Sequence, residues 1–223
     1  MMTHEGVMKF LDDLYGNCLN GIPNISPNVE EMAEDYLEKY KTPEKASRMM
    51  INTQIVKCTT SGVLTGFGGL ITLPVTIPAN LGSVLYVQMR MIAAIAYMGG
   101  YDLRDDETRA FVYACLAGVS INSLLKPMGI KLGMKLATSA IKKIAGKILT
   151  KINQRVGFRF LTKFGTKGII NLAKLVPAAG AVVGGLLDYT ETNIISQRAY
   201  KWFIEGNCEP GKDEEIIEAV EWH

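Results

Sequence analysis

The stretch that decides the fold is CTTSGVLTGFGGLITLPVTIPANLGSVLYVQM, residues 58–89, which carries no charge from end to end. Its length alone suggests a membrane span. Its interior argues otherwise. Pro74 and Pro78 interrupt helical hydrogen bonding, and Gly62, Gly66, Gly68, Gly69 and Gly82 lower helix propensity. The uninterrupted part before Pro74 would span only roughly 24 Å as a helix, short of the ~30 Å hydrocarbon core. The pattern predicts a helical hairpin instead. One arm ends near Leu73, the turn covers 73–78, and the second arm runs from Ala79 to Met98. That second arm is apolar nearly all round, interrupted by Asn80, Ser83, Gln88 and Arg90, so it is expected at the centre of a bundle. Gly99-Gly100 stops it.

Outward from this hairpin the pattern stays helical. Residues 5–17 place Val7, Phe10, Leu11 and Leu14 on one face, and Gly16 to Pro27 reads as a loop. An acidic helix starts at Ser26-Pro27 and continues to about Tyr40. Thr42-Pro43 opens the next, which runs toward Thr60, with Thr42 as cap and Pro43 at the first helical position. Asp105-Asp106-Glu107 places negative charge where a helix dipole favours it, and that helix is expected to end before Pro127. Residues 128–176 form a basic region, in which Ala137, Ile141, Ile144, Ile148 and Ile152 make an apolar seam beside Lys143, Lys147 and Lys151. Gly157 and Gly165 are expected to divide it. Pro177 to Leu187 is small and apolar, Asp188 leads into a helix through Phe203, and Asp213 to Trp222 reads as an acidic tail helix. Long alternating runs are missing. The fold class is all-α: a single compact helical bundle with a Gly-rich apolar helical hairpin at its core. Its expected division is an N-terminal helix and loop over 1–25, the main domain over 26–206 and the tail over 207–223.

Composition sharpens this. The 223 residues are 48% apolar and 21% charged, with a mean hydropathy of +0.14, which excludes intrinsic disorder for most of the chain. The net charge of +2 conceals a split, because Thr108 to Leu187 contains no Asp or Glu and carries 13 Lys and Arg. Cys18, Cys58, Cys115 and Cys208 are widely spaced, which excludes a zinc ribbon. The start, Met-Met-Thr-His-Glu, lacks the basic and apolar regions of a secretory signal, so a cytoplasmic chain with reduced thiols is expected. The two histidines, His4 and His223, are terminal, where side chains are seldom held, which argues against Ser-His-Asp or Cys-His chemistry. HExxH, GxSxG and the Walker GxxxxGK[ST] pattern are absent. The sequence calls for no cofactor, no metal site and no catalytic residue.

Several long motifs carry a resemblance. Asn20-Gly21-Ile22-Pro23 precedes AEDYLEKY. TSGVLTGFGGLITLPVTIPANL follows at 60–81, then VQMRMIAAIAYMGGYDL at 87–103 and LTKINQRVGFRFLTKFGTKGIINLAKLVPAAGAVVGG at 149–185. Over roughly 18–203 the chain resembles the EcsC family of bacterial proteins. One departure is Thr53-Gln54, where the family pattern has Trp-Gln. The resemblance implies a bacterial origin, a helical fold and a membrane connection, including a link to an ABC transporter component. It implies no catalytic residues.

Four groups of residues are candidates for function. The basic set is Lys126, Lys131, Lys135, Lys143, Lys147, Lys151, Arg155, Arg159, Lys163 and Lys167. A Lys-lined helix beside an apolar seam can lie on anionic lipid, with the seam in the acyl boundary. The competing reading neutralises this charge internally with the acidic segments 30–38 and 213–221. Nucleic acid ranks below both, since Phe158, Phe160 and Phe164 read as core residues. The second group, Gly62/Gly66, Gly129/Gly133 and Gly180/Gly184, has the spacing of close helix packing, either within a soluble bundle or in oligomers in a bilayer. Third, Arg90 on the central helix needs a partner, with Asp188 the first choice and Asp102 the second, unless it reaches solvent. Fourth, Gly165-Thr166-Lys167-Gly168 resembles a phosphate cradle, and Asp102, Asp105, Asp106 and Glu107 a divalent-cation cluster. Both patterns also fit ordinary helix ends.

The expectation is a non-enzymatic, amphitropic protein, cytoplasmic and peripheral on the inner face of the cell membrane, that contacts anionic phospholipid. The alternative is a soluble scaffold binding an acidic protein partner. A hydrolase ranks third and requires a pocket with two convergent carboxylates.

Overall fold

The computed structural model describes residues 3–23, 26–59, 79–122, 144, 146–164 and 180–208, and seven helices are assigned among them. In chain order they are α1 (His4–Asn20), α2 (Val29–Tyr40), α3 (Pro43–Thr59), α4 (Ala79–Met98), α5 (Asp106–Ala117), α6 (Gly146–Phe164) and α7 (Gly180–Phe203). Among the described residues there is no strand beyond a single bridge, Ile22 to Ser26. The chain is an all-helical, compact bundle.

The helix ends follow the capping chemistry of the sequence. Thr3 Oγ1 accepts from the Gly6 amide at 3.1 Å, Asn28 Oδ1 from Glu31 at 2.8 Å and Thr42 Oγ1 from Lys45 at 3.3 Å. Gly118 closes α5 at φ 73, in the left-handed region where a side chain is strained.

α4 occupies the bounds expected for the second hairpin arm and packs against α1, α2, α3, α5 and α7. Its residues 84–89 and 91–96 are all buried, which explains the near-absence of a polar face. α5 is a second central helix, with Thr108 and every residue from Ala110 to Ala117 buried. The buried face of α1 (Val7, Phe10, Leu11, Leu14, Tyr15 and Cys18) joins the same core.

Three boundaries differ from expectation. α1 continues through Gly16 to Asn20 and keeps Cys18 in the core. α5 ends before Pro127, as expected, at Ala117, where Gly118 takes up the left-handed cap. Gly157 does not divide α6; it is buried against the His4 ring. α7 begins at Gly180 rather than near Asp188, so the part of that small apolar segment from Gly180 to Leu187 already belongs to the helix. Thr53, the departure from the family's Trp-Gln pair, is exposed on α3, while Gln54 is buried and directs Nε2 at Met32 Sδ, 3.7 Å away.

The first hairpin arm, its turn at 73–78, Gly62, Gly66, Gly129, Gly133, the Gly165–Gly168 motif and the acidic segment 213–222 all lie outside the described residues. Of the three glycine pairs, only Gly180 and Gly184 fall on a described helix. They stand four positions apart in α7, hence on one face of it. The surroundings of that face lie outside the described residues, so the expected close packing at Gly180 and Gly184 stays a matter of spacing.

Candidate functional site

The basic region can be followed on α6. Ile144, Ile148, Ile152, Val156 and Phe160 recur every four residues and are all buried. This row packs into the protein, where α6 meets α1 and α5 and Phe160 stands 6.3 Å from the Phe10 ring. The described part of the apolar seam is therefore core. It cannot also lie in an acyl boundary while this packing is kept, which corrects the expected mode of lipid contact.

The opposite face of α6 is open. Lys147, Thr150, Lys151, Gln154, Phe158 and Thr162 are exposed, and Arg155 is half-buried. Phe158 is 63% exposed, so the reading of the three phenylalanines as core residues fails for it. The signal was available: Phe158 and Phe160 stand two positions apart, about 200° around a helix, and cannot share a face. Arg159 turns inward instead. Its Nε donates to the Ala117 carbonyl at 2.8 Å, and Arg198 Nη1 donates to the Cys115 carbonyl at 3.0 Å. Two guanidinium groups thus meet the C-terminal end of α5, where the helix dipole favours positive charge. Lys163 stands in the last turn of α6. Its side chain, with Lys126, Lys131, Lys135, Lys143 and Lys167, lies outside the described residues.

The acidic helix takes another place in the bundle. α2 packs against α1, α3 and α4, whereas α6 packs against α1 and α5. The carboxylate of Glu30 pairs with Arg104, and Glu34 accepts a 2.7 Å hydrogen bond from the Tyr97 hydroxyl. Segment 30–38 therefore finds its described partners away from α6.

Arg90 reaches the loop between α1 and α2. Its Nη2 donates to the Pro27 carbonyl at 2.6 Å, and its Nε is buried with no hydrogen-bond partner. Burial pulls the guanidinium below its usual range, opposed by the nearby Tyr86 and Cys18. The Asp188 side chain lies outside the described residues, and Asp102 accepts from the Arg104 amide at 2.9 Å. The polar link described between α4 and α7 is a different one: Gln88 Nε2 donates to Thr192 Oγ1 at 3.0 Å, both residues buried.

Around the same loop lies an open depression of about 480 Å³, lined by Asn20, Ser26, Pro27, Asn28 and Glu31 among others. Ser26 Oγ and Tyr86 Oη are 2.9 Å apart beside it. Among its described lining residues Glu31 is the single carboxylate, whereas acid–base hydrolysis needs a convergent pair. Elsewhere Asp106 is paired with Arg109 at 2.7 Å. Among the described residues no group of three or more His, Cys, Asp or Glu could hold a metal ion. Cys18, Cys115 and Cys208 are buried, and burial pushes the Cys18 thiol well above its ordinary range. His4, expected to be loose, is held: its Nε2 lies 3.3 Å from the Asn153 carbonyl. No described helix is long and apolar enough to cross a membrane.

No solved structure matches this chain. The uncharacterized protein YdbA of Bacillus subtilis (strain 168) is 28% identical over 173 residues, covering 75% of this chain and 60% of that protein, so the chain spans under two thirds of its relative's length. The model of the EcsC protein family matches residues 13–203, a segment that holds α2 to α7 and the C-terminal part of α1. The chain belongs to the EcsC protein family.

Proposed function

We propose that this is a non-enzymatic, amphitropic protein of the bacterial cytoplasm that docks on anionic phospholipid through the outer face of α6. One observation carries the reading. α6 exposes Lys147 and Lys151 within a segment free of acidic residues, while the acidic α2 is engaged with Arg104 and Tyr97 on other parts of the bundle. Each Lys or Arg held near an anionic membrane contributes about 1 kcal/mol, so a few cations suffice for reversible attachment. The Gly-rich stretch 62–98 belongs to the same proposal as an apolar hairpin sheathed by the bundle, with Gly180 and Gly184 admitting a close neighbour to α7.

Vesicle co-sedimentation tests it. The chain is expected to pellet with vesicles containing phosphatidylglycerol and not with pure phosphatidylcholine, and to be released by salt, because exposed charges are screened. Lys147→Glu with Lys151→Glu weakens that binding by roughly a thousandfold, at about 1 kcal/mol per cation lost and as much again per sign reversed. Equal binding to both lipids, or to neither, overturns the reading.

The burial of Ile148, Ile152 and Val156 favours a second reading, since it leaves α6 with a mainly polar outer face suited to an acidic protein. A chain that ignores vesicles and binds a specific acidic protein through Lys147 and Lys151 supports that alternative.

A further inference from the structure

The exposed stripe of α6 runs Lys147, Lys151, Gln154, Phe158, Thr162, at steps of three and four residues, so these side chains lie along one line. From first to last the line is roughly 22 Å long, enough to lie flat on a surface. Phe158 stands within it, about two turns beyond Lys151 and three beyond Lys147, and beside Arg155. A single exposed apolar residue is ordinary on a protein surface. This one differs in its setting. It is the most exposed of the large apolar side chains described, and its helix carries five Lys and Arg and no acid.

An interfacial helix usually inserts its apolar face. Here that face is committed to the core, from Ile148 to Phe160. Any anchor must project from the polar face, and Phe158 is the one large exposed apolar group described there. We infer that Phe158 is a membrane anchor: its ring enters the headgroup–acyl boundary of an anionic bilayer while Lys147 and Lys151 engage the phosphates. Resting on the proposed lipid docking, this assigns the residue that sets its depth. Charge alone holds a protein above the headgroups, whereas a ring adds apolar burial that salt does not screen. A lone ring beside Gln154 and Thr162 is a poor platform for single-stranded nucleic acid, which stacks successive bases on several aromatics.

The test uses the full chain with vesicles of phosphatidylglycerol and phosphatidylcholine. Phe158→Trp is read as a difference from the parent, which shares Trp202 and Trp222. Its emission is expected to shift to the blue on binding and to be quenched by lipids brominated on their acyl chains. Phe158→Ala is expected to lower partitioning about tenfold, and to do so at both low and high salt. Ile194→Ala, which trims a 49% exposed side chain on α7, leaves binding unchanged. Binding that persists with no shift or quenching at position 158, or with no loss in Phe158→Ala, overturns the anchor and leaves the lipid docking standing. Failure of the parent to bind anionic vesicles overturns both. A shift produced by polyglutamate and not by vesicles overturns the anchor in favour of an acidic protein partner.

Discussion

Two glycines separate what a missing side chain can mean. A Cβ on Gly99 would stand 2.2 Å from the carbonyl oxygen of Phe203 and 3.2 Å from the Tyr101 ring. Backbone meets backbone there, where the end of α4 closes on the end of α7 and Tyr101 lies edge-on to Phe203. Neither can yield without parting the two helices, so Gly99→Ala is expected to cost about 3 kcal/mol. At Gly157 a Cβ would meet only the His4 ring, at 2.3 Å, and that ring sits on an exposed residue at the start of α1. It can swing aside, losing one exposed hydrogen bond worth about 0.5–1 kcal/mol, while Ala in mid-helix gains about 1 kcal/mol over Gly. Gly157→Ala is therefore expected to leave stability nearly unchanged. Urea unfolding of both variants decides the matter: equal losses would show that contact with backbone is not what distinguishes them.

At the scale of elements, the contact between α4 and α7 rests on a buried polar pair as well as apolar packing. Removing one partner leaves the other buried and unsatisfied, which costs roughly 1–3 kcal/mol. Gln88→Met and Thr192→Val are each expected to lie in that range, and the double variant to cost clearly less than their sum. Strict additivity in denaturant unfolding would mean that the 3.0 Å contact carries no coupling. This pair also marks the limit of what periodicity reveals. The bounds of α4 were legible because an apolar run ends at Gly99-Gly100, and the start of α3 because Thr42-Pro43 is a strong helix opening. The start of α7 was not, because the glycines at 180, 184 and 185 lower helix propensity and so hide the helix from its sequence pattern. Which polar residue of α4 meets α7 was not legible either, since Gln88 and Arg90 stand two positions apart and point in different directions. Arg90 looked like the buried charge in need of an acid, yet a backbone carbonyl of the α1–α2 loop receives it. Loop position depends on tertiary packing and leaves no periodic trace. The cationic stripe on α6 could be read directly from its spacing. Its relation to the acidic α2 could not, because helix order in sequence does not say which helices become neighbours.

At the scale of the whole molecule, burial of phenols and a thiol gives the bundle an alkaline limit. Tyr15 donates to the Leu103 carbonyl at 2.8 Å, Tyr113 to Asp12 at 2.8 Å, and the two rings meet edge-on at 5.7 Å. Burial, above all, raises both hydroxyls far beyond the ordinary phenol range; at Tyr113 the bond to Asp12 adds to it. Burial likewise raises Tyr101 to about 12, and Cys18 well above a free thiol. The unfolded chain would release these protons near pH ~8.5 for the thiol and ~10 for the phenols. Above those values the folded state holds more protons than the unfolded one, so stability falls as pH rises. Below pH ~8 these groups contribute their full stability, and it drains away as pH climbs. At pH ~11 Tyr15 and Tyr113 together withdraw about 3 kcal/mol, and Cys18 a similar amount, out of the ~5–15 kcal/mol that holds a domain folded. Denaturant unfolding from about pH 7 to 11 should show a flat region, a first decline near pH ~9 that Cys18→Ala removes, and a steeper one above pH ~10 that Tyr113→Phe lessens. Phenolate absorbance of these two tyrosines should appear only as the fold is lost. If they ionise near pH ~10 with the helices intact, their burial does not control the alkaline limit.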